Sequence, residues 1–163
     1  KNIFAVIKMP TQYKIGFDER KEFEANNIKS LMGVCGLYFI FLKETEIPYP
    51  FGKSRLIYIG MSERRTNSIG KRLLGHFEGS SGNEGLSSYR KVEMLYFTYI
   101  NFEMLKQLWS HKIEDLESYF ILSFVKKYGV YPICNNKTGF EVLQKDLNLE
   151  FEIDWKYFEK EIV

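Results

Sequence analysis

Cysteine, histidine and proline are scarce in this chain, and the structures that depend on them are excluded. The 163 residues include two cysteines, two histidines and four prolines. Cys35 and Cys134 lie far apart and no Cys-x-x-Cys pair exists, so a zinc knuckle or zinc ribbon cannot form. Two isolated thiols are typical of a protein in a reducing compartment, and we therefore expect a cytoplasmic protein.

The chain also lacks a long apolar run and a strong excess of charge. The longest stretch without a charged residue, residues 30–42, is too short to span a membrane, so we expect no membrane partner. The net charge is +2, but residues 53–91 carry eight Lys or Arg against three acids, and residues 141–163 carry three against seven. A basic stretch set apart from an acidic tail is typical of phosphate binding, although an ordinary solvated face has the same composition.

Aromatic and β-branched residues are plentiful and predict a single folded core. Aromatic residues make up 17% of the chain and apolar residues 45%, enough for one domain of this length. The order of the predicted elements is ββαβαα, which favours an α+β fold with a small antiparallel sheet of about three strands flanked by helices. Strands are predicted at residues 34–42, 55–59 and 92–100, and the main helices at residues 68–77, 103–109 and 111–128.

The segments outside this core are predicted to be extensions and loops. Residues 1–30 form an N-terminal extension with a short helix at 18–29, residues 31–140 form the core, and residues 141–163 form a C-terminal helical extension with a helix at 151–162. Residues 79–88, rich in Gly and Ser, are predicted to be a mobile loop.

Two tyrosines stand at corresponding positions of the first two predicted strands. Residues 36–38 read Gly-Leu-Tyr and residues 58–60 read Tyr-Ile-Gly. Tyr38 shares a strand face with Gly36 and Ile40, so pairing of the two strands would bring Tyr38 and Tyr58 together. An ordinary cross-strand tyrosine pair has the same pattern. Two phenols beside a phosphate could also hydrogen-bond it, and nearby cations would favour loss of a phenolic proton.

Arg72 and His76 are four residues apart on the next predicted helix, at the border of its buried stripe. An arginine in that position can bind a phosphate through two N–H groups, and a histidine can take up a proton near neutral pH. The cations Arg64, Arg65 and Lys71 compete for the phosphate-binding role and are predicted to contact nucleic acid.

Glu117 lies in the middle of an apolar helical arc, where a carboxylate needs a partner. The partner is either a divalent cation, because carboxylate oxygen suits Mg²⁺, or a basic side chain such as Arg72. Asn135 follows in a turn-rich segment at residues 132–139 and would anchor that loop, hold a phenol or cap a turn. The adjacent Asn136 is the alternative candidate for this role.

The order of these residues resembles the GIY-YIG nuclease family over residues 36–136. Gly-Leu-Tyr and Tyr-Ile-Gly are similar to its two namesake motifs, with Leu in place of Ile, and Arg-x-x-x-His-Phe at 72–77 is similar to its helix motif. The string Glu-Ser-Tyr-Phe-Ile at 117–121 resembles the family's metal-binding segment. Tyr38 and Tyr58 are 20 residues apart, about twice the common spacing, which indicates an insertion in the hairpin loop.

The resemblance implies a metal-dependent DNA endonuclease of GIY-YIG-like fold, cytoplasmic or nucleoid-associated. It implies Tyr38, Tyr58, Arg72, His76, Glu117 and Asn135 as catalytic residues, Tyr38 as general base, and Glu117 as the ligand of Mg²⁺ or Mn²⁺. The chain shows no zinc finger or helix-turn-helix, so a restriction-type or structure-selective enzyme is favoured, and a homodimer would let one active site per copy cut both strands. A non-catalytic nucleic-acid-binding module of the same fold, or an unrelated α+β enzyme, are the alternatives.

Overall fold

The structure is a computed structural model that describes residues 11–136 and 149–160. Its strands are Thr11–Ile15 (β1), Lys21–Glu22 (β2), Gly36–Leu42 (β3), Ile47–Tyr49 (β4), Gly52–Ser54 (β5), Leu56–Ser62 (β6), Leu95–Asn101 (β7) and Leu149–Ile153 (β8). Its helices are Ala25–Lys29 (α1), Ile69–Glu78 (α2), Glu84–Val92 (α3), Phe102–Leu105 (α4) and Ile113–Tyr128 (α5), followed by a 3-10 helix at Trp155–Phe158. The predicted α+β class is confirmed.

The central sheet has four strands in the order β2-β7-β3-β6, with every neighbouring pair antiparallel. The prediction of about three strands was therefore wrong. The additional strand, β2, is two residues long, too short to produce an alternating pattern in the sequence. β3 lies in the interior of the sheet and all seven of its residues are buried, as its uninterrupted apolar run predicts.

Helices cover both faces of this sheet. On one face, Phe39 of β3 packs against Phe120 of α5, with ring centroids 5.8 Å apart. Its neighbour Tyr38 points to the other face, because side chains alternate along a strand, and there meets His76 of α2. The predicted division of β3 into two faces is therefore correct, and it places α2 and α5 on opposite sides of the sheet.

The connection between β3 and β6 is long and contains two further strands. Residues 43–54, which carry prolines and a glycine, form the small antiparallel pair β4–β5. Tyr49 anchors this pair: its ring packs edge-on against Phe124 of α5, and its hydroxyl donates to the carbonyl of Leu56 at 2.7 Å. The connection is thus packed onto the core, and β3 pairs with β6 with a register shift between Ile40 and Phe41.

The C-terminal segment is not the helix predicted at residues 151–162. It forms β8, which pairs in parallel with β1, and then the 3-10 helix. Leu149, Phe151 and Ile153 alternate with exposed glutamates along β8, and this period of two is the signal that the helical reading overlooked. Residues 141–148 and 161–163 of the predicted extension lie outside the described residues.

Two further element predictions were wrong. The predicted loop at residues 79–88 contains the first half of α3, because the side chain of Asn83 caps that helix by accepting from the backbone N–H of Leu86 at 3.1 Å. The predicted helix at residues 18–29 is divided into β2 and the short helix α1. Within the described residues, no helix combines the length and apolar character that a membrane crossing requires.

Gly60 is fixed by its contact with Tyr38. The two residues are partners across the β3–β6 pair, and a Cβ at position 60 would lie 2.7 Å from Cε2 of Tyr38 and closer still to its hydroxyl. Only glycine therefore allows the Tyr38 ring to lie across β6, which gives the Gly of the Tyr-Ile-Gly string a packing role.

We expect Gly60→Ala to lower the free energy of unfolding by about 1–3 kcal/mol, because an extra methyl group in a packed core forces side chains to move. Urea denaturation measures the change. Gly16→Ala is the control, since a Cβ there meets nothing within 4 Å. Equal stability of the two variants would contradict the contact.

Candidate active site

The hydroxyl of Tyr38 is the centre of the candidate site. The Tyr38 side chain is 0% exposed. Its hydroxyl accepts the Nε–H of Arg72 at 3.3 Å and lies 3.0 Å from Nε2 of His76. The structure therefore brings together three of the residues predicted from the sequence, from one strand and one helix.

Helix α2 begins where it does because Ser68 caps it, accepting from the backbone N–H of Lys71 at 3.3 Å. Gly70 lets its first turn approach the chain after α1, where a Cβ would come within 2.6 Å of the Leu31 carbonyl carbon. Arg72 and His76, one turn apart, then face β3. The prediction that they are neighbours on one helical face is confirmed, although His76 is more deeply buried than expected, at 6% exposed.

Tyr58 completes the aromatic group and is more accessible than Tyr38. Its ring centroid lies 5.9 Å from that of Tyr38 and 5.1 Å from that of His76. Ile40 is its partner across the β3–β6 pair, so the two tyrosines form a diagonal pair. Tyr58 is only half-buried, which leaves it the more accessible phenol of the two.

Burial dominates the ionisation of both phenols. It raises the pKa of Tyr38 well above its usual value, Tyr58 adds to this, and Arg72 opposes it without reversing it. Burial also raises the pKa of Tyr58, against hydrogen bonding from Tyr38 and the charge of Arg72. Arg72 does favour the phenolate of each tyrosine, as expected, but loss of hydration outweighs this one guanidinium and the net pKa of both phenols is raised.

His76 is a neutral imidazole at neutral pH. Burial, with a smaller effect from the charge of Arg72, lowers its pKa to about 4. The sequence predicted a group that protonates near pH 7, and the structure differs because the ring is enclosed. Its Nδ1 lies 2.8 Å from Oγ of Ser81, so both ring nitrogens have partners.

Glu117 is buried on α5, at 7% exposed, as its place in the apolar arc predicts. Burial alone would lower the pKa of Arg72, but the two tyrosines and Glu117 together raise it. The Glu117 carboxylate also contributes to the raised pKa of Tyr58. Glu117 thus belongs electrostatically to the same site, and Arg72 is one of the groups that its charge affects.

A single carboxylate fits some metal ions and not others. Among residues 11–136 and 149–160, no group of three or more His, Cys, Asp or Glu could hold a metal ion. Structural zinc, which takes four protein ligands, does not fit such a site. Mg²⁺ fits it, because that ion keeps several waters and is commonly held by one or two carboxylates together with substrate phosphates.

Asn135 fastens a loop to the outer edge of β6. Its Oδ1 accepts from the backbone N–H of Ile59 at 3.0 Å, and its Nδ2 donates to the carbonyl of Ile59 at 2.8 Å. The backbone N–H of Cys134 donates to the carbonyl of Ile57 at 2.8 Å. Asn135 is buried and Asn136 is exposed, and the amide of Asn135 anchors the loop rather than holding a phenol.

The predicted DNA-contacting cations lie in the open, beside the start of α2. Arg64, Arg65 and Lys71 are exposed. Oγ of Ser62 donates to the carbonyl of Asn67 at 2.6 Å, which holds the turn between β6 and α2 in place. The backbone N–H groups at the start of a helix also attract anions, so these cations and the helix terminus act in the same direction.

Ser81 and Asn83 are the site residues that the sequence analysis missed. The backbone N–H of Asn83 donates to Oγ of Ser81 at 3.3 Å, and its Nδ2 donates to the carbonyl of Cys134 at 3.0 Å. A chain of hydrogen bonds therefore runs from Tyr38 through His76, Ser81 and Asn83 to the loop on β6. Asn83 followed by Glu84 is a pattern typical of a helix N-terminus and could have indicated α3. The Gly and Ser residues around it favoured the prediction of a loop instead.

Comparison with protein-family models, with curated protein sequences and with solved structures finds no match for this chain. The resemblance to the GIY-YIG nucleases therefore depends on the sequence motifs alone.

Proposed function

We propose that this protein is a metal-dependent DNA endonuclease of GIY-YIG-like fold that hydrolyses phosphodiester bonds. One observation carries the proposal. Tyr38 is hydrogen-bonded to Arg72 and lies 3.0 Å from Nε2 of His76, the ring of Tyr58 lies beside both Tyr38 and His76, and the charge of the buried Glu117 acts on Tyr58 and Arg72. Two phenols, a guanidinium, an imidazole and a buried carboxylate are groups that phosphodiester hydrolysis uses, and here they come from β3, β6, α2 and α5.

Glu117 would hold the divalent cation, Mg²⁺ or Mn²⁺, together with oxygens of the phosphate and water. When bound, that ion supplies Lewis-acid stabilisation of the phosphate and of the leaving oxygen. Arg72 stabilises the charge that develops on the phosphate. Its Nε–H is already engaged by Tyr38, but a guanidinium has five N–H donors, which leaves others for a phosphate oxygen.

The two phenols differ in exposure, and we assign them different roles in proton transfer. The attacking water reaches Tyr58 first, because Tyr58 is half-buried and Tyr38 is 0% exposed. The water gives a proton to Tyr58, Tyr58 passes its own to Tyr38, and Tyr38 passes its own to Nε2 of His76, 3.0 Å away. Each phenol gains one proton and releases one, so no phenolate with a raised pKa needs to persist. This assignment revises the sequence prediction, in which Tyr38 met the water itself.

The proposal is tested by nicking of supercoiled plasmid and branched DNA with Mg²⁺ or Mn²⁺, with and without EDTA. We expect cleavage that EDTA abolishes. DNA binding with no cleavage under any of these conditions would favour the alternative, a nucleic-acid-binding module of the same fold. Absence of both binding and cleavage would overturn the proposal.

Replacing each phenol by phenylalanine separates their roles. We expect Tyr58→Phe and Tyr38→Phe each to slow cleavage on the order of 10²-fold or more, the usual contribution of general-base catalysis, because either change interrupts the route of the proton. Single-turnover cleavage rates measure both. Tyr99→Phe is the control, because Tyr99 lies opposite Tyr38 on β7. Near-wild-type cleavage by Tyr58→Phe, with Tyr38→Phe inactive, would return the role of base to Tyr38.

Glu117→Gln keeps the size of the side chain and removes its charge. We expect cleavage to be lost while DNA is still bound, because the divalent cation would lose its protein ligand. Nicking and gel-shift assays on one preparation measure the two properties. Glu114→Gln, an exposed change on the same helix, should leave both intact. A Glu117→Gln protein that still nicks DNA would rule out Glu117 as the metal ligand.

Neutralising Arg64, Arg65 and Lys71 together should weaken binding to every DNA sequence. We expect the salt dependence of binding to flatten by up to about three phosphate contacts, since each contact releases roughly one counterion. Fluorescence anisotropy at several salt concentrations measures the slope. The control removes the same charge elsewhere, at the exposed residues Lys14, Lys126 and Lys156. Equal slopes for the two triple variants would move the DNA site to another surface.

A further inference from the structure

The segment between α2 and α3 turns back onto the end of α2. Gly79 and Gly82 both have positive φ, 82° and 74°, which reverse the chain on either side of Ser81. The backbone N–H of Ser81 donates to the carbonyl of Gly75 at 3.2 Å. This turn brings the hydroxyl of Ser81 to the side of His76 that faces away from Tyr38.

His76 is held between two oxygen atoms. Its Nδ1 lies 2.8 Å from Oγ of Ser81, and its Nε2 lies 3.0 Å from the hydroxyl of Tyr38. A neutral imidazole has one N–H donor and one acceptor nitrogen. One of the two oxygens must therefore receive a hydrogen bond from the ring, and the other must donate to it.

The hydrogen of Tyr38 decides between the two arrangements. A buried hydroxyl needs an acceptor for its own hydrogen. Arg72, which contacts this hydroxyl through Nε, can only donate. The acceptors beside it are Nε2 of His76, 3.0 Å away, and the oxygen of Tyr58, with which Tyr38 is also hydrogen-bonded. An imidazole nitrogen is a stronger acceptor than a phenol oxygen. The hydrogen of Tyr38 is therefore assigned to Nε2, which places the ring hydrogen on Nδ1, where it points at Ser81.

We propose that Ser81 is a positioning residue that holds His76 as the Nδ1–H tautomer and so keeps Nε2 free to take the proton of Tyr38. Oγ of Ser81 also accepts the backbone N–H of Asn83 at 3.3 Å, which fixes its lone pairs toward the ring. The catalytic consequence rests on the proposed function, because it matters only if a proton leaves Tyr38 during cleavage. A histidine held in the wrong tautomer loses most of its value as a base.

The tautomer is measured directly by ¹⁵N NMR of the histidine rings at neutral pH. The chain has two histidines, and His111→Gln assigns the remaining signal to His76. We expect a protonated Nδ1 and an unprotonated Nε2 in the wild type, and a mixture of tautomers in Ser81→Ala. A ring protonated on Nε2 in the wild type would overturn the proposal and make Tyr58 the acceptor for Tyr38. An unchanged tautomer in Ser81→Ala would overturn it too.

Cleavage by the same variants gives a second readout. We expect Ser81→Ala to slow cleavage roughly 10-fold, within the range seen when the hydrogen-bond partner of a functional histidine is removed. Ser81→Thr keeps a hydroxyl and should restore most of the rate. Ser80→Ala changes the neighbouring exposed serine and should have no effect. Failure of Ser81→Thr to restore the rate would contradict the role of the hydroxyl.

The two readouts separate failure of this inference from failure of the proposed function. If the wild type does not cleave DNA but His76 is the Nδ1–H tautomer and Ser81→Ala changes it, the proposed function fails and the positioning role stands. If the wild type cleaves but the tautomer is wrong, only the positioning role fails.

Discussion

The candidate site depends on the burial of one hydroxyl group, that of Tyr38. A buried hydroxyl without hydrogen bonds costs about 1–3 kcal/mol, so the fold must supply partners where it encloses the ring. Arg72 donates to this hydroxyl and Nε2 of His76 lies next to it. The partners of Tyr38 therefore fix the rotation of α2 against β3. The same contacts that pack the core also set the geometry of the site.

The same enclosure sets the charges of the site. With both phenols and His76 neutral, the charges that act within the group are those of Arg72 and Glu117. Burial of the imidazole lowers its pKa to about 4, so at neutral pH the ring is uncharged and one of its nitrogens can accept a proton. A site arranged in this way does not need to store an ionised base. It needs a route along which a proton can move, and the alignment of Tyr38 with His76 provides one step of that route.

Sequence patterns predicted the parts of the site that depend on periodicity. The alternation in β3 gave the direction of Tyr38, helical spacing gave Arg72 with His76, and the apolar arc of α5 gave the burial of Glu117. The period of the apolar residues does not show how deeply a polar side chain such as that of Tyr38 or His76 is buried, and only the folded structure gives this. The ionisation of Tyr38 and His76 was therefore mispredicted although their positions were right, because burial rather than the neighbouring charge decides it.

The other errors arose where hydrogen bonds stabilise an element that the local amino-acid composition does not predict. Ser81 and Asn83 lie in a stretch whose Gly and Ser predict a loop, yet Asn83 caps α3 there. At the C-terminus, the alternating residues of β8 pair with β1, a partner more than a hundred residues away in the sequence, and such a pairing leaves no local signal. The number of strands was missed for the same reason, since two residues of β2 pair with β7.

The loop that Asn135 fastens along β6 has a consequence for how two copies of the chain could associate. An uncovered edge strand offers a row of free N–H and carbonyl groups to another strand, but on β6 the carbonyl of Ile57 is bound by Cys134, and both backbone groups of Ile59 are bound by Asn135. The opposite edge, β2, is two residues long and carries Lys21 and Glu22. Joining of two sheets edge to edge is therefore disfavoured at both ends. A dimer that cuts both strands of a duplex would then form through another surface than the edges of the central sheet, and the distance between its two active sites would not be set by strand pairing in that sheet.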